Sequence, residues 1–150
     1  MWIYFRSDRT GRPEVWRVPA AGGEGQQMTD KTGHWAWESA DGKTLYYTKD
    51  RALFGRSLPA GAERQILESV IGWSYFPVEG GIYYIAQQDP QRPRALELRF
   101  LEFATGKSKV LRNFEAWSVG GLTVSPDQKT VLWSALMSAG IDLMMIENFR

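Results

Sequence analysis

Along this chain, short stretches in which aromatic and β-branched residues crowd together or alternate with polar ones are broken by clusters of Gly, Pro, Asp and Ser. The clearest stretches are WIYFRS from Trp2, TLYYTK from Thr44, GIYYIA from Gly81 and TVLWSAL from Thr130. A two-residue period with this enrichment predicts half-buried strands, and the punctuating residues predict turns. Ile3, Leu45, Ile82 and Val131 then occupy equivalent positions, one repeat to the next, at a spacing of about 40 residues, the period of a four-stranded propeller blade. The fold class expected is all-β: a partial β-propeller of about 3.5 four-stranded antiparallel blades, with about 14 strands in all.

The second repeat shows the plan. Trp35-Ala36-Trp37-Glu38 alternates, SADGK from Ser39 carries turn chemistry, Thr44 to Thr48 reads as the hairpin partner, RALFGRSLPAG from Arg51 holds a third strand, and Glu63 to Leu67 a shorter fourth. In the third repeat the order is Trp73 to Phe76, the turn Val78-Glu79-Gly80-Gly81, Ile82 to Ala86, a polar Pro-containing loop QQDPQRPR from Gln87, Leu96 to Phe103, and Lys109 to Phe114. The first repeat lacks an opening strand and holds Trp2 to Ser7, Glu14 to Val18 and Gln26 to Thr29. The last holds Leu122 to Val124, Val131 to Ala135 and Ile141 to Ile146, and lacks a closing one. Blade pieces are thus expected near residues 1–30, 34–68, 72–115 and 120–150 of a single propeller fragment. Arg64 to Ile71 and Leu136 to Ile146 have helix-favouring composition, but the repeat register, with Gly140 inside the second, assigns both to strands.

The bulk properties narrow the function. The chain has 150 residues, 43% of them hydrophobic, enough for a real core. Eighteen Lys and Arg against 17 Asp and Glu give a formal charge of +1, so no global field steers nucleic acid or an anionic membrane to it. No apolar run of about 18 residues predicts a membrane helix, and no basic-then-apolar leader opens the chain. Cysteine is absent, which removes disulfides and thiolate chemistry and leaves the compartment, periplasmic or cytoplasmic, open. A start inside a strand pattern suggests that the chain is a piece of a longer repeat array.

Candidate chemistry is sparse. His34, the one imidazole, stands in a loop entering a blade, and Ala116-Trp117-Ser118-Val119-Gly120 lacks the strand-to-helix setting of a nucleophile elbow, so no catalytic residue is assigned. No metal site or cofactor is expected: there is no Cys, a single His and no calcium-loop pattern. Asp8, Asp41 and Asp127 read as turn residues bonding nearby backbone N–H groups, and Gly22-Gly23-Glu24-Gly25 as a turn. Arg92, Arg94 and Arg99 are interleaved with Glu97 and Glu102, the pattern of a solvated strand face.

Trp35, Trp37, Trp73 and Tyr75 fall at matching positions on the first strands of two blades, which in propellers lie nearest the central channel. Rings there can stack on a sugar or grip a peptide; the competing reading, which the burial of both blade faces favours, is packing between blades.

The turns SADGKT at Ser39 and SPDQKT at Ser125, SDRTG at Ser7, VWRVPAAGG at Val15, FATGK at Phe103 and the terminus DLMMIENFR resemble the TolB-like β-propellers with their WD-like repeats. More narrowly, they resemble the C-terminal propeller of bacterial winged-helix transcriptional regulators and of some bacterial serine/threonine kinases. Departures fall at Ala40, usually Pro, at Gln128, usually Gly, and at Val78-Glu79, where the Ser-Pro-Asp pattern is lost.

The resemblance implies a non-enzymatic sensing or docking module of a larger bacterial regulator, binding a protein or small ligand. The alternative it leaves open is the gating propeller of a prolyl-oligopeptidase-type serine peptidase. Unpaired edges at Trp2 to Ser7 and Ile141 to Ile146 predict homo-oligomerisation.

Overall fold

The computed structural model of the chain describes residues 1–137 and 141–147. Gly140 and the terminal Asn148-Phe149-Arg150 lie outside the described residues. All described regular structure is strand, in two compact units, Met1–Glu68 and Ser69–Arg150.

In the first unit the strands are β1 (Trp2–Ser7), β2 (Glu14–Pro19), β3 (Gln26–Gln27), β4 (His34–Glu38), β5 (Thr44–Lys49), β6 (Ala52–Ser57) and β7 (Glu63–Leu67). They form a three-stranded sheet in the order β1-β2-β3 and a four-stranded sheet in the order β4-β5-β6-β7, all antiparallel. Each strand pairs with its sequence neighbour, the meander that short Gly- and Asp-rich turns dictate. Val15, Met28, Leu45 and Tyr47 make the core, with Tyr4, Ala36, Phe54 and Leu58 packed against them.

A buried carboxylate organises the passage from one sheet to the next. Glu14 is fully enclosed; its carboxylate accepts from Arg12 Nε at 2.8 Å, Thr29 Oγ1 at 2.5 Å and the Thr32 N–H at 3.1 Å. Thr29 Oγ1 accepts in turn from the Val15 N–H at 2.9 Å. A buried charge with donors on every side is tolerable where a lone one is not. Gly33 ends this connector because a Cβ there would meet Thr29 Oγ1 at 2.6 Å.

The second unit continues with β8 (Tyr75–Val78), β9 (Gly81–Asp89), β10 (Arg92–Glu102), β11 (Ser108–Glu115), β12 (Ser118–Val124), β13 (Thr130–Leu136) and β14 (Ile141–Glu147). These strands make a four-stranded antiparallel sheet, β8 through β11, and a three-stranded one, β12 through β14. Ile85, Leu96, Leu98, Leu122, Val131 and Trp133 form its core. The Phe114 and Trp133 rings meet at 5.4 Å between centroids, tilted by 46°, a favourable aromatic geometry.

The sheets of three, four, four and three strands, 14 in total, are those expected from the repeat. Both helix-compatible segments contribute strands, β7 and β14, because neighbour pairing outweighs a few tenths of a kcal/mol of propensity per residue.

Elsewhere strand bounds shift, β12 opening at Ser118 rather than Leu122 and β3 ending at Gln27 rather than Thr29, and in the third repeat two expectations are corrected. The polar stretch from Gln87 is not a loop: β9 runs on to Asp89, the chain turns over Pro90 and Gln91, and β10 starts at Arg92. Asp89 makes the turn, its Oδ1 accepting from the Gln91 N–H at 2.8 Å and its carbonyl from Gln87 Nε2 at 3.0 Å. The register shifts between Arg92 and Leu96, around Pro93, which has no N–H to give a ladder. The opening strand of the same sheet also begins at Tyr75 rather than Trp73, so Trp73 lies in the turn before β8.

Candidate ligand-binding aromatics

The four aromatic residues singled out in the sequence divide between the units, Trp35 and Trp37 in the first and Trp73 and Tyr75 in the second. Their surroundings differ sharply.

Trp35 and Trp37 stand on β4, an edge strand of its sheet, and each is 41% exposed. Ala36 between them packs against the core, so alternation carries the two indoles to the other face. The ladder is irregular between His34 and Trp37, and Trp35 has φ +41°. A bulky residue in the left-handed region costs on the order of 1 to 2 kcal/mol and calls for a compensating use. Glu38, next along, accepts a hydrogen bond from the Tyr4 hydroxyl. Burial, reinforced by that carboxylate, pushes Tyr4 up to about 12. Tyr4 therefore stays neutral and ties β1 to β4 at any ordinary pH.

Trp73 is 42% exposed, yet its indole covers backbone: a Cβ on Gly121 would sit 3.2 Å from Trp73 Nε1, and one on Gly120 3.7 Å from its ring. Gly121 also has φ +71°, so position 121 needs glycine twice over. Trp73 thus packs between the β8 sheet and β12. Tyr75 is 0% exposed, and burial raises its hydroxyl well above the ordinary tyrosine range. It is a core residue.

His34 lies not in a loop entering the blade, as expected, but at the head of β4, paired with Thr48, where its carbonyl accepts from Thr48 Oγ1 at 3.4 Å; burial and the charge of Arg6 lower its pKa. Ser118 opens β12, a strand running on from the previous sheet without a helix. No group of His, Asp and Glu among the described residues is arranged to hold a metal. No helix among them is long and apolar enough to cross a membrane.

The three arginines of the third repeat separate. Arg99 turns to Glu97, with Nε and Nη2 at 2.6 and 2.5 Å from Oε2 of that largely buried carboxylate. Arg92 reaches Glu115 at 3.3 Å, and Arg94 lies over the ring of Trp117, 3.0 Å from its centroid. Neither the Glu14 network nor the Arg94–Trp117 pair was legible in the sequence. Their only local signals are an acidic residue opening a strand and a tryptophan in a turn.

No family model and no curated protein matches the chain. Solved structures do. Over 99% of its length the chain is similar to TolB from Acinetobacter baumannii, with TM-score 0.80 and 14% identity, covering 38% of that protein. It is similar to oligogalacturonate lyase from Vibrio parahaemolyticus over 99% of its length, with TM-score 0.69 and 16% identity, covering 47% of that chain. Puromycin hydrolase matches over 96% of this chain and 28% of its own, with TM-score 0.66 and 16% identity. The chain therefore spans less than half of each of these neighbours, and what they share with it at such identities is the fold: that of a TolB-like β-propeller, present here in part.

Proposed function

We propose that the chain is a non-enzymatic binding module, a portion of a TolB-like propeller that senses or docks a protein or small ligand on behalf of a larger regulatory protein. One observation carries this reading: Trp35 and Trp37 are presented side by side on an edge strand, both 41% exposed, with Trp35 in a backbone conformation that disfavours it. Exposed, rigid aromatic pairs are what stacking on a sugar or clasping an extended peptide requires. The motif resemblance to the propellers of winged-helix regulators and kinases supports the regulatory setting.

The test uses Trp35→Gly and Trp37→Ala in a titration against an array of short peptides and oligosaccharides, followed by tryptophan emission. Trp37→Ala should weaken the best binder at least about tenfold. Trp35→Gly should do the same while leaving Tm unchanged or higher, because glycine accepts a positive φ at no steric cost. Unchanged affinity in both variants refutes the reading.

A second reading is favoured by the likeness to puromycin hydrolase, namely a propeller belonging to a peptidase with its hydrolase domain elsewhere in the parent chain. Coding sequence continuous with Met1 decides between them: a winged helix or kinase supports the regulator, a hydrolase the peptidase.

Self-association belongs to the same proposal. β1 and β14 are edge strands carrying exposed Ile3, Leu143 and Met145, which favours pairing between copies, and monodisperse monomer in light scattering at high concentration would count against it.

A further inference from the structure

The β9–β10 hairpin and the passage from β11 to β12 place a guanidinium, an indole and a shallow hollow together. Arg94 precedes Ala95, which pairs with Glu115 across β10 and β11. The Arg94 carbonyl accepts from the Ala116 N–H at 3.1 Å, and the Trp117 N–H donates to the Leu136 carbonyl at 2.8 Å. Both backbones are pinned, so the stacked side chains, 3.0 Å from guanidinium carbon to ring centroid, stand on fixed ground. Trp117 is 59% exposed, so the stacked pair is open to solvent. Beside it lies a hollow of about 240 Å³ lined by Arg92, Pro93, Arg94, Ala95 and Glu115.

We infer that this hollow is a docking point for an acidic side chain of an extended peptide, with Arg94, stacked on Trp117, taking the carboxylate and Pro93 and Ala95 flanking its aliphatic stem. The charge pattern selects the ligand. Glu115 offsets Arg92 at 3.3 Å, whereas Arg94 has no carboxylate partner among the described residues and keeps its N–H edge for a bidentate acceptor. The volume selects it too. Pockets for cofactors and drug-sized ligands run to about 300–1,000 Å³, so a hollow below that range suits one side chain of a longer partner. This site lies in the second unit and does not depend on Trp35 or Trp37.

The probe is the capped pentapeptide acetyl-Ala-Ala-Glu-Ala-Ala-amide, titrated into the intact chain while the indole N–H resonance of Trp117 is followed by NMR. Saturable binding is expected. The same peptide with Gln in place of Glu should bind about tenfold more weakly, as should glutarate and inorganic phosphate, which lack the peptide's length. Arg94→Lys, which keeps the charge but not the fork, should weaken the Glu peptide about fivefold. Glu115→Gln, an exposed change, removes a like charge beside the incoming carboxylate and should tighten it two- to fivefold, by roughly the cost of such a repulsion.

The inference is overturned if the Glu peptide does not bind. It is equally overturned if the Gln peptide or phosphate matches the Glu peptide, or if neither variant shifts the affinity.

Discussion

The hairpins Ser39–Thr44 in the first unit and Ser125–Thr130 in the second are the same device built twice. In one, Asp41 Oδ1 accepts from Ser39 Oγ at 2.6 Å and the Lys43 N–H at 3.1 Å, while Ser39 Oγ accepts from the Thr44 N–H at 2.9 Å. In the other the corresponding distances, for Asp127, Ser125, Lys129 and Thr130, are 2.6, 3.1 and 3.0 Å. Yet the fourth residue is Gly42 with φ +71° in the first and Gln128 with φ +56° in the second. The side-chain network, together with the N–H of the left-handed residue donating to the Ser39 or Ser125 carbonyl at 2.9 and 2.8 Å, holds that residue in place without requiring glycine. Glycine only lowers the cost of being there.

The third blade makes the contrast sharper. Its hairpin has no such network: Val78 pairs directly with Gly81 around Glu79 and Gly80, and Phe103 donates its N–H to the Gly80 carbonyl at 2.9 Å. Gly81 is glycine for want of space, since a Cβ there would sit 2.3 Å from the Leu101 carbonyl oxygen and against the Phe100 ring. The largest effect is accordingly expected from Gly81→Ala. Overpacking against backbone should cost about 3 kcal/mol and lower Tm by roughly 10 °C in a thermal melt, because the Leu101 carbonyl is held in the β9–β10 ladder. A loss below about 1 kcal/mol would show that this hairpin yields more easily than its packing implies.

Removing the organising hydroxyl tests whether the two matched turns are energetically alike. Ser39→Ala and Ser125→Ala each delete a donor and an acceptor, and each should cost about 1 to 2 kcal/mol in urea unfolding. Effects differing by more than twofold would break the equivalence. Next in size is the exchange at the left-handed position: Gln128→Gly should stabilise by about 1 kcal/mol and Gly42→Gln should destabilise by a similar amount. Equal and opposite shifts in Tm would confirm that the networks are interchangeable.

Acid gives the finest comparison. The serine hydroxyl first, and then the backbone N–H of Lys43 or Lys129, hold Asp41 and Asp127 below the usual carboxylate value of 3.8. A carboxylate depressed on folding stabilises fully above its unfolded value, and that stabilisation disappears as pH falls through the lower folded value. Melts from pH 5 down to pH 2 should thus show a small loss below about 3.8 that Asp41→Asn and Asp127→Asn each reduce to the same degree.

Such turns explain why the fold was legible. Ser-x-Asp-x-Lys-Thr acts over six residues, and strand alternation acts over fewer, so both can be read locally. The segment from Gln87 misled because a polar strand extension and a polar loop share a composition. What separates them is the Asp89 side chain closing a turn over Pro90 and Gln91, with Arg92 paired back to Asp89. Among the candidate residues, Trp35 and Trp37 lie on the strand that the alternation predicts. Tyr75, spaced like them in the pattern, is fully buried, because spacing along a strand does not say what will cover a given face.

Sequence by itself determined the repeat, the strand order within each sheet and the turn chemistry, since all of these rest on contacts a few residues long and on the two-residue period of a strand. Tertiary structure alone decided the rest. It enclosed Glu14 among donors as distant as Thr32, drew Arg99 to the buried Glu97 and away from Arg94, and set Arg94 over Trp117. Those outcomes depend on which side chains meet when sheets pack and strands turn back, and no periodicity along the chain encodes which residues will meet.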